Sequence, residues 1–324
     1  MKTNNKFLRA VCIMLITALF ICYACACSNE NPPSQISNDD ILSVHYIDVG
    51  NGDCIFINFH DGKNMLIDCG AESQNNLENI AKVLKDYSVS QIDYLVLTHP
   101  DLDHVGNAQS IVKNYIVKKA YIPNIYNKQL YPSFAKAVME MEIRKVEIAY
   151  STMGDKILAD EYIIAFLSPC WTTYGDAYGE FNGYPSPTDT QVNNLSPIIY
   201  LEYAGVTFLF TGDAGYQQEK LVENNCNIGM YDRFFENRVK LNQIDFLKVA
   251  HHGAEDCSSQ DFLNIIQPKN AIISVGGDNV YGHPSSLVIN RLYASNQNVN
   301  VLRTDVYGTI SVTVNQFGDF QIDK

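Results

Sequence analysis

Residues 98–104 read Thr-His-Pro-Asp-Leu-Asp-His and directly follow the apolar run Tyr94-Leu95-Val96-Leu97. A short apolar run of this kind is a buried strand. Its C-terminal end therefore delivers His99, Asp101, Asp103 and His104 into a single loop. Two readings compete for them. In one, the loop is a polar turn in which Asp101 or Asp103 caps the next helix. In the other, the four side chains share a loop because they hold a metal ion, for which imidazole and carboxylate are common ligands.

The remaining histidines and acids favour the metal. Asp68 closes the strand Asn64–Ile67, and Asp213 follows the apolar strand Val206–Phe210 through Thr211-Gly212. His251-His252-Gly253 follow the strand Asp245–Val249, and His283 lies in Tyr281-Gly282-His283-Pro284. A carboxylate at the end of a buried strand is costly unless it is paired or bound to a cation. Four such acids with three or more histidines suit two divalent ions; the competing reading makes each acid an independent helix cap. Asp48 and Asp53 flank Gly50-Asn51-Gly52 and either hydrogen-bond around the site or shape their own turn. His45, on the first strand, reads as a core or supporting residue, and His60, beside Asp61-Gly62, as a solvated turn residue.

The N-terminus reads as an export signal. Lys2, Lys6 and Arg9 precede a largely apolar run from Ala10 to Ala26, the charged and apolar regions of a secretory leader. Ala24-Cys25-Ala26-Cys27 resembles a bacterial lipobox, with Cys27 as the lipidated residue and Cys25 as the second choice. A diacyl anchor there has two chains, enough for stable attachment, and places the protein on the outer face of the bacterial cell membrane. An uncleaved membrane anchor is the alternative. The expected organisation is a leader over residues 1–27, a polar tether over 28–42 and one globular domain over 43–324. The formal charge is −13, and removing the three leader cations leaves −16. Such a chain repels nucleic-acid backbones on average, because phosphate binding depends on clustered Lys and Arg. Outside the leader and Cys27, five widely spaced cysteines remain (Cys54, Cys69, Cys170, Cys226, Cys257), which predicts buried free thiols rather than a disulfide framework.

Along the domain, helices at 77–87, 133–143, 217–224, 259–266 and 286–294 alternate with strands, and residues 170–194 read as one long loop. Such a loop in a compact domain is usually functional or mobile. Tyr174, Tyr178 and Tyr184 in it either stack on a substrate or pack within the loop. The glycine turn at 50–53 joins strand to strand and is not a dinucleotide fingerprint, which needs a following helix. Two β-rich halves with helices outside predict a layered α/β/β/α sandwich.

The segment His99-Pro-Asp-Leu-Asp-His104 resembles the HxHxDH motif of the metallo-β-lactamase superfamily, with Asp101 in place of the middle histidine. That variant is similar to the nuclease-like domain of the ComEC competence proteins. The resemblance runs through His45–Asp53, Leu66–Gly70, Asn193–Ser196, Leu209–Asp213, Leu247–Gly253, Ser274–Pro284 and Leu302–Gly308, covering about residues 43–322. It implies the four-layer αββα metallo-β-lactamase-like sandwich and a metal-dependent hydrolase. It also implies that His99 and Asp101 hold one ion, and that Asp103, His104 and either His252 (first choice) or His251 hold a second. Asp213 would bridge the two, and Asp68 would support the histidine loop. Asn194 or Ser196 stands where the wider superfamily has another histidine, so the first site is expected to be weaker or more open, and a single-metal enzyme stays an alternative.

Two cations about 3.5–4 Å apart lower the pKa of a shared water and polarise the bond to be cleaved. Asp103 would orient that water, and His283 would donate to the leaving group. The ligand set is rich in oxygen, so manganese or iron competes with zinc; zinc is favoured, manganese next. The first functional reading is an exported phosphodiesterase or nuclease. The second is a surface hydrolase of a small ester such as a phosphocholine ester, lactone or β-lactam; the third is a non-catalytic surface binding protein. ComEC proteins also carry a membrane channel region, which this sequence does not show, so DNA uptake by this chain alone is not expected. The substrate is expected to be a small-molecule or nucleic-acid phosphodiester.

Overall fold

The computed structural model describes residues 41–125, 128–170, 188–277 and 279–324. The leader, Cys27 and Tyr174, Tyr178 and Tyr184 lie outside the described residues. One sheet contains β1 (Ile41–Tyr46), β2 (Ile55–Asn58), β3 (Asn64–Ile67), β4 (Gln91–Val96), β5 (Ile116–Ile122) and β6 (Glu147–Tyr150). The second contains β7 (Lys156–Leu158), β8 (Tyr162–Phe166), β9 (Ile199–Tyr203), β10 (Val206–Phe210), β11 (Phe246–Lys248), β12 (Asn270–Ile273) and β13 (Asn300–Arg303). The chain then returns to the first sheet as β14 (Ile310–Asn315) and β15 (Phe320–Asp323), giving the orders β15-β14-β1-β2-β3-β4-β5-β6 and β13-β12-β11-β10-β9-β8-β7. The run β3 to β6 is parallel, and so is β10 to β13.

Strand periodicity assigns each residue to one of three packing layers. In β2, Ile55 and Ile57 face the second sheet while Phe56 faces outward; in β10, Phe208 and Phe210 face the first sheet while Leu209 faces outward. Both faces of each sheet are covered, which is why these strands read as continuous apolar runs. Outside the first sheet lie α1 (Gln74–Asp86), α2 (Leu102–Val105), α3 (Ala108–Asn114) and α4 (Pro132–Ile143). After α5 (Asp189–Asn193), the second sheet is covered by α6 (Tyr216–Asn227), α7 (Met230–Phe234), α8 (Gln260–Ile266) and α9 (Ser286–Ser295), with the short α10 (Thr304–Tyr307) near the C-terminus. α1 shows why such helices form where they do. Ser73 caps it by accepting from the Asn76 amide, and Ile80 and Leu84, one turn apart, bury against the first sheet. Burying one such side chain contributes roughly 1.5–3 kcal/mol. The result is the four-layer αββα sandwich.

Several expectations change. Ile41 and Leu42, assigned above to the tether, begin β1, where Leu42 is fully buried opposite Val314. Asp189–Asn193, assigned to the long loop, form α5, started by a Thr188–Gln191 capping box. His60 is not solvated: its ring packs near Tyr162 and Tyr203 and pairs with Glu161. Cys54, Cys69 and Cys257 are free and buried, and Cys226 is free and partly buried. Among the described residues no helix is long and apolar enough to cross a membrane.

His45 is a core residue, its Nδ1 2.7 Å from Ser311 Oγ and its ring against Phe56 and Tyr87. Burial lowers its pKa from 6.5 to about 4, against the pull of Asp86 and Asp323. The unfolded chain therefore takes up this proton at a higher pH than the folded one. Stability is unaffected above the unfolded pKa and falls as pH drops below it, by up to roughly 1.4 kcal/mol per pH unit. His45→Phe should lose less stability than the parent in urea titrations between pH 7 and pH 4. Parallel losses would remove His45 as a cause.

Candidate metal centre

The C-terminal ends of β3, β4, β10, β11 and β12 meet at one edge of the sandwich. Asp68 leaves β3 with φ 58°, a left-handed conformation costly for a non-glycine residue. Its Oδ1 accepts from the Thr98 amide at 2.8 Å; its Oδ2 accepts from the Thr98 hydroxyl at 2.7 Å and lies 2.8 Å from His104 Nδ1. Burial pushes the Asp68 pKa up, and His104 opposes the shift. Asp101 stands at the N-cap of α2, yet its side chain makes no capping hydrogen bond. The carboxylate is thus free to face the cluster.

The cluster converges on one oxygen. Asp213 Oδ2 lies 3.3 Å from His104 Nε2, 3.7 Å from His252 Nε2, and 3.8 Å from both His99 Nε2 and His251 Nε2. Asp103 Oδ2 lies 3.3 Å from His252 Nε2, and Asp101 Oδ2 lies 3.6 Å from His99 Nε2. The opposite ring nitrogens are engaged elsewhere. His99 Nδ1 lies 3.1 Å from both Thr98 Oγ1 and Ser196 Oγ, and His252 Nδ1 lies 2.8 Å from the Ser274 carbonyl. Each imidazole is thereby oriented with Nε2 toward the cluster, as a metal-binding histidine is when its other ring nitrogen is hydrogen-bonded.

Those Nε2 atoms of His99, His104 and His252 are buried and have no hydrogen-bond partner. Three orphaned buried nitrogens around one carboxylate are expensive as they stand. A divalent cation supplies the missing interactions, so the residues fit a metal. His99–His104–Asp213 and Asp103–His104–His252 each have donor atoms close enough to hold one. The electrostatics agree: burial lowers the His104 and His252 pKa values, but Asp213 and other nearby carboxylates outweigh it and raise both. Burial and the neighbouring His104 drop His99 to about 3, and burial with Asp103 and Asp213 lifts Asp101 to about 6, against His104. The carboxylates thus favour positive charge where the imidazole nitrogens converge.

His251 and His252 both adopt left-handed backbone conformations, φ 49° and 54°. The His251 amide anchors them by donating to the Gly212 carbonyl at 3.1 Å. Gly253 is required beside them, because a Cβ there would meet Pro284 Cβ at 2.6 Å. His252 is buried in the cluster, whereas His251 is partly exposed and directs Nδ1 toward Asp256 at 3.5 Å. Ser196 Oγ accepts from the Asp213 amide at 3.2 Å, while Asn194 accepts from the Gly215 amide and stays off the cluster. Asp48 is also off it: its carboxylate accepts from the Gly50 amide at 3.0 Å and shapes its own turn. Asp53 is buried beneath the cluster and pairs with Lys248, a residue the sequence reading missed. The available signal was a charge within the apolar run Phe246-Leu247-Lys248-Val249, since lysine is almost never buried unpaired. An open cavity of about 600 Å³ leads to the cluster, lined also by Asp189, Asn193, Glu255, Asp256, Tyr281 and His283.

Asp68→Ala would remove the acceptor of the Thr98 amide and the 2.8 Å partner of His104 Nδ1. We expect a stability loss of roughly 2–4 kcal/mol and a metal affinity about 10–100-fold weaker, read by thermal melts and competition with a chelator. Parent-like affinity would show that Asp68 does not orient His104.

The metallo-β-lactamase superfamily model matches residues 47–277. ComE operon protein 3 of Bacillus subtilis is 29% identical over 96% of this chain and 36% of its own length. Competence protein ComA of Neisseria gonorrhoeae is 26% identical over 94% and 35%, and Recombination protein 2 of Haemophilus influenzae is 26% identical over 85% and 29%. The chain thus spans about a third of the length of these relatives. With its motifs, layers and convergent donors in place, the chain belongs to the metallo-β-lactamase superfamily and is similar to these competence proteins over most of its length.

Proposed function

We propose that this chain is an exported phosphodiesterase, anchored to the outer face of the cell membrane through a lipidated Cys27 and working with two divalent ions, zinc before manganese. The observation that carries the reading is the convergence of partnerless imidazole nitrogens on Asp213 Oδ2 at the floor of an open cavity. His99 and Asp101 would hold one ion, Asp103, His104 and His252 the other, with Asp213 between them. Bound metals would supply an acidified water and a Lewis acid for the phosphoryl oxygen.

The chain's own groups take the remaining roles. Asp103 borders both the cluster and the cavity, which supports a role for its carboxylate in orienting the attacking water. Burial, with His251 and His252 nearby, lowers the His283 pKa, so its imidazole is neutral at pH 7. It lines the cavity 5.8 Å from the His251 ring, with Tyr281 stacked on it, and would donate a hydrogen bond to the leaving group.

One observation favours a small phosphodiester over a nucleic-acid strand as substrate. Asp189, Glu255 and Asp256 line the cavity in addition to the ligand acids, and no lysine or arginine lines it among the described residues. Successive phosphates of a strand would meet those carboxylates without compensation. A substrate with one phosphodiester and short arms avoids the repulsion.

We expect the metal-loaded protein to cleave a chromogenic bis-phosphodiester, to lose activity on chelation, and to regain it with zinc or manganese. Asp213→Ala should lower turnover at least 1000-fold; retained turnover would refute the ligand assignment. A protein inert toward bis-phosphodiester, phosphocholine ester, single-stranded DNA and β-lactam with either metal would contradict the hydrolytic reading. Palmitate labelling should disappear in Cys27→Ser, and labelling that persists rules out that anchor.

A further inference from the structure

Lys248 is the last residue of β11 and is fully buried. Its ammonium pairs with Asp53 Oδ2, donates to the Gly212 carbonyl at 3.0 Å and lies 3.9 Å from Asp213 Oδ1. These three partners lie on one side of the cluster. The two oxygens of Asp213 are therefore divided, with Oδ2 turned to the imidazoles and Oδ1 turned to Lys248. Gly212 precedes Asp213, has φ 50°, and a Cβ there would meet both Thr98 and Ser196 at 3.1 Å. A hydrogen bond to its carbonyl thus fixes the peptide from which Asp213 projects.

Asp53 belongs to the other half of the fold. Its amide donates to the Asp103 carbonyl at 3.2 Å, and its carbonyl accepts from the Gly70 amide at 2.9 Å. Its Oδ1 and Oδ2 lie 3.8 Å from His252 Nδ1 and 3.9 Å from His104 Nδ1, on the ring sides facing away from the cluster. Without Lys248, Asp53 would be a buried carboxylate beside two imidazoles, with no cation of its own. Five acids surround this centre: Asp53, Asp68, Asp101, Asp103 and Asp213. One ammonium among them leaves four negative charges, which two divalent ions neutralise.

We propose that Lys248 is a positioning residue for the metal centre: tied to Asp53 across the two sheets, it aims Asp213 so that Oδ2 alone is offered to metal, and it keeps Asp53 out of the ligand set. The inference rests on the reading of this cluster as a dinuclear metal site. Lys248 itself is not a ligand and does not touch substrate.

The test compares the full-length parent, Lys248→Met and the double variant Asp53→Asn with Lys248→Met. The double variant removes both members of the buried pair, so it avoids the unpaired charge that destabilises a single replacement. Metal content and chelator competition are measured with zinc and with manganese, and kcat and KM with the bis-phosphodiester. The double variant is expected to fold but to bind one of two metal equivalents at least tenfold more weakly. Its kcat should fall at least 100-fold, with KM within threefold of the parent. Two equivalents bound at parental affinity with parental kcat would overturn the role of Lys248 while leaving the metal site intact. A parent that binds no metal would overturn both. Where Lys248→Met alone fails to fold, the double variant still decides.

Discussion

The centre depends on how a buried carboxylate, Asp213, divides its two oxygens. Oδ2 faces the imidazoles of His99, His104 and His252, and Oδ1 faces the ammonium of Lys248. Low dielectric makes each of these pairings strong and makes any unmatched group costly. The orphaned Nε2 atoms are the unmatched groups, and their cost is what a bound cation removes. The Asp68–His104 contact and the left-handed turn at His251-His252 help hold these donors together.

The sandwich makes this arrangement possible by bringing the C-terminal ends of two parallel strand runs to a common edge. β3 and β4 supply Asp68 and the His99–His104 loop; β10 and β11 supply Asp213, Lys248 and the histidine pair. Neither half contains a complete site. The apolar layer between the sheets, with Phe166, Phe208, Phe210 and Phe246 against Tyr46, Ile55 and Ile67, sets their separation and so the distances across the centre. The same burial that packs this layer also keeps water from the charges and from the partnerless imidazole nitrogens.

Much of this was legible in the sequence because the chemistry is local. The loop at 98–104 follows an apolar run, so strand, turn and donors could be read together, and the motif order carried the fold class. What was not legible depends on contacts between distant segments. Asp48 and Asp53 look equivalent on either side of Gly50-Asn51-Gly52, yet one closes a turn and the other meets Lys248 from the second sheet. Lys248 reads as a stray charge in a strand until its partner is known. That Asp101 does not cap the helix it precedes shows only in the absence of a capping hydrogen bond, and α5 depended on one capping box inside a stretch dominated by loop residues.

The most direct test of the account is anomalous diffraction from crystals of the metal-loaded protein. Two metal peaks should flank Asp213 Oδ2, one beside His99 and Asp101 and the other beside Asp103, His104 and His252, with Lys248 still on Asp53. Metal bound elsewhere, or an Asp213 carboxylate that contacts neither peak, would contradict it.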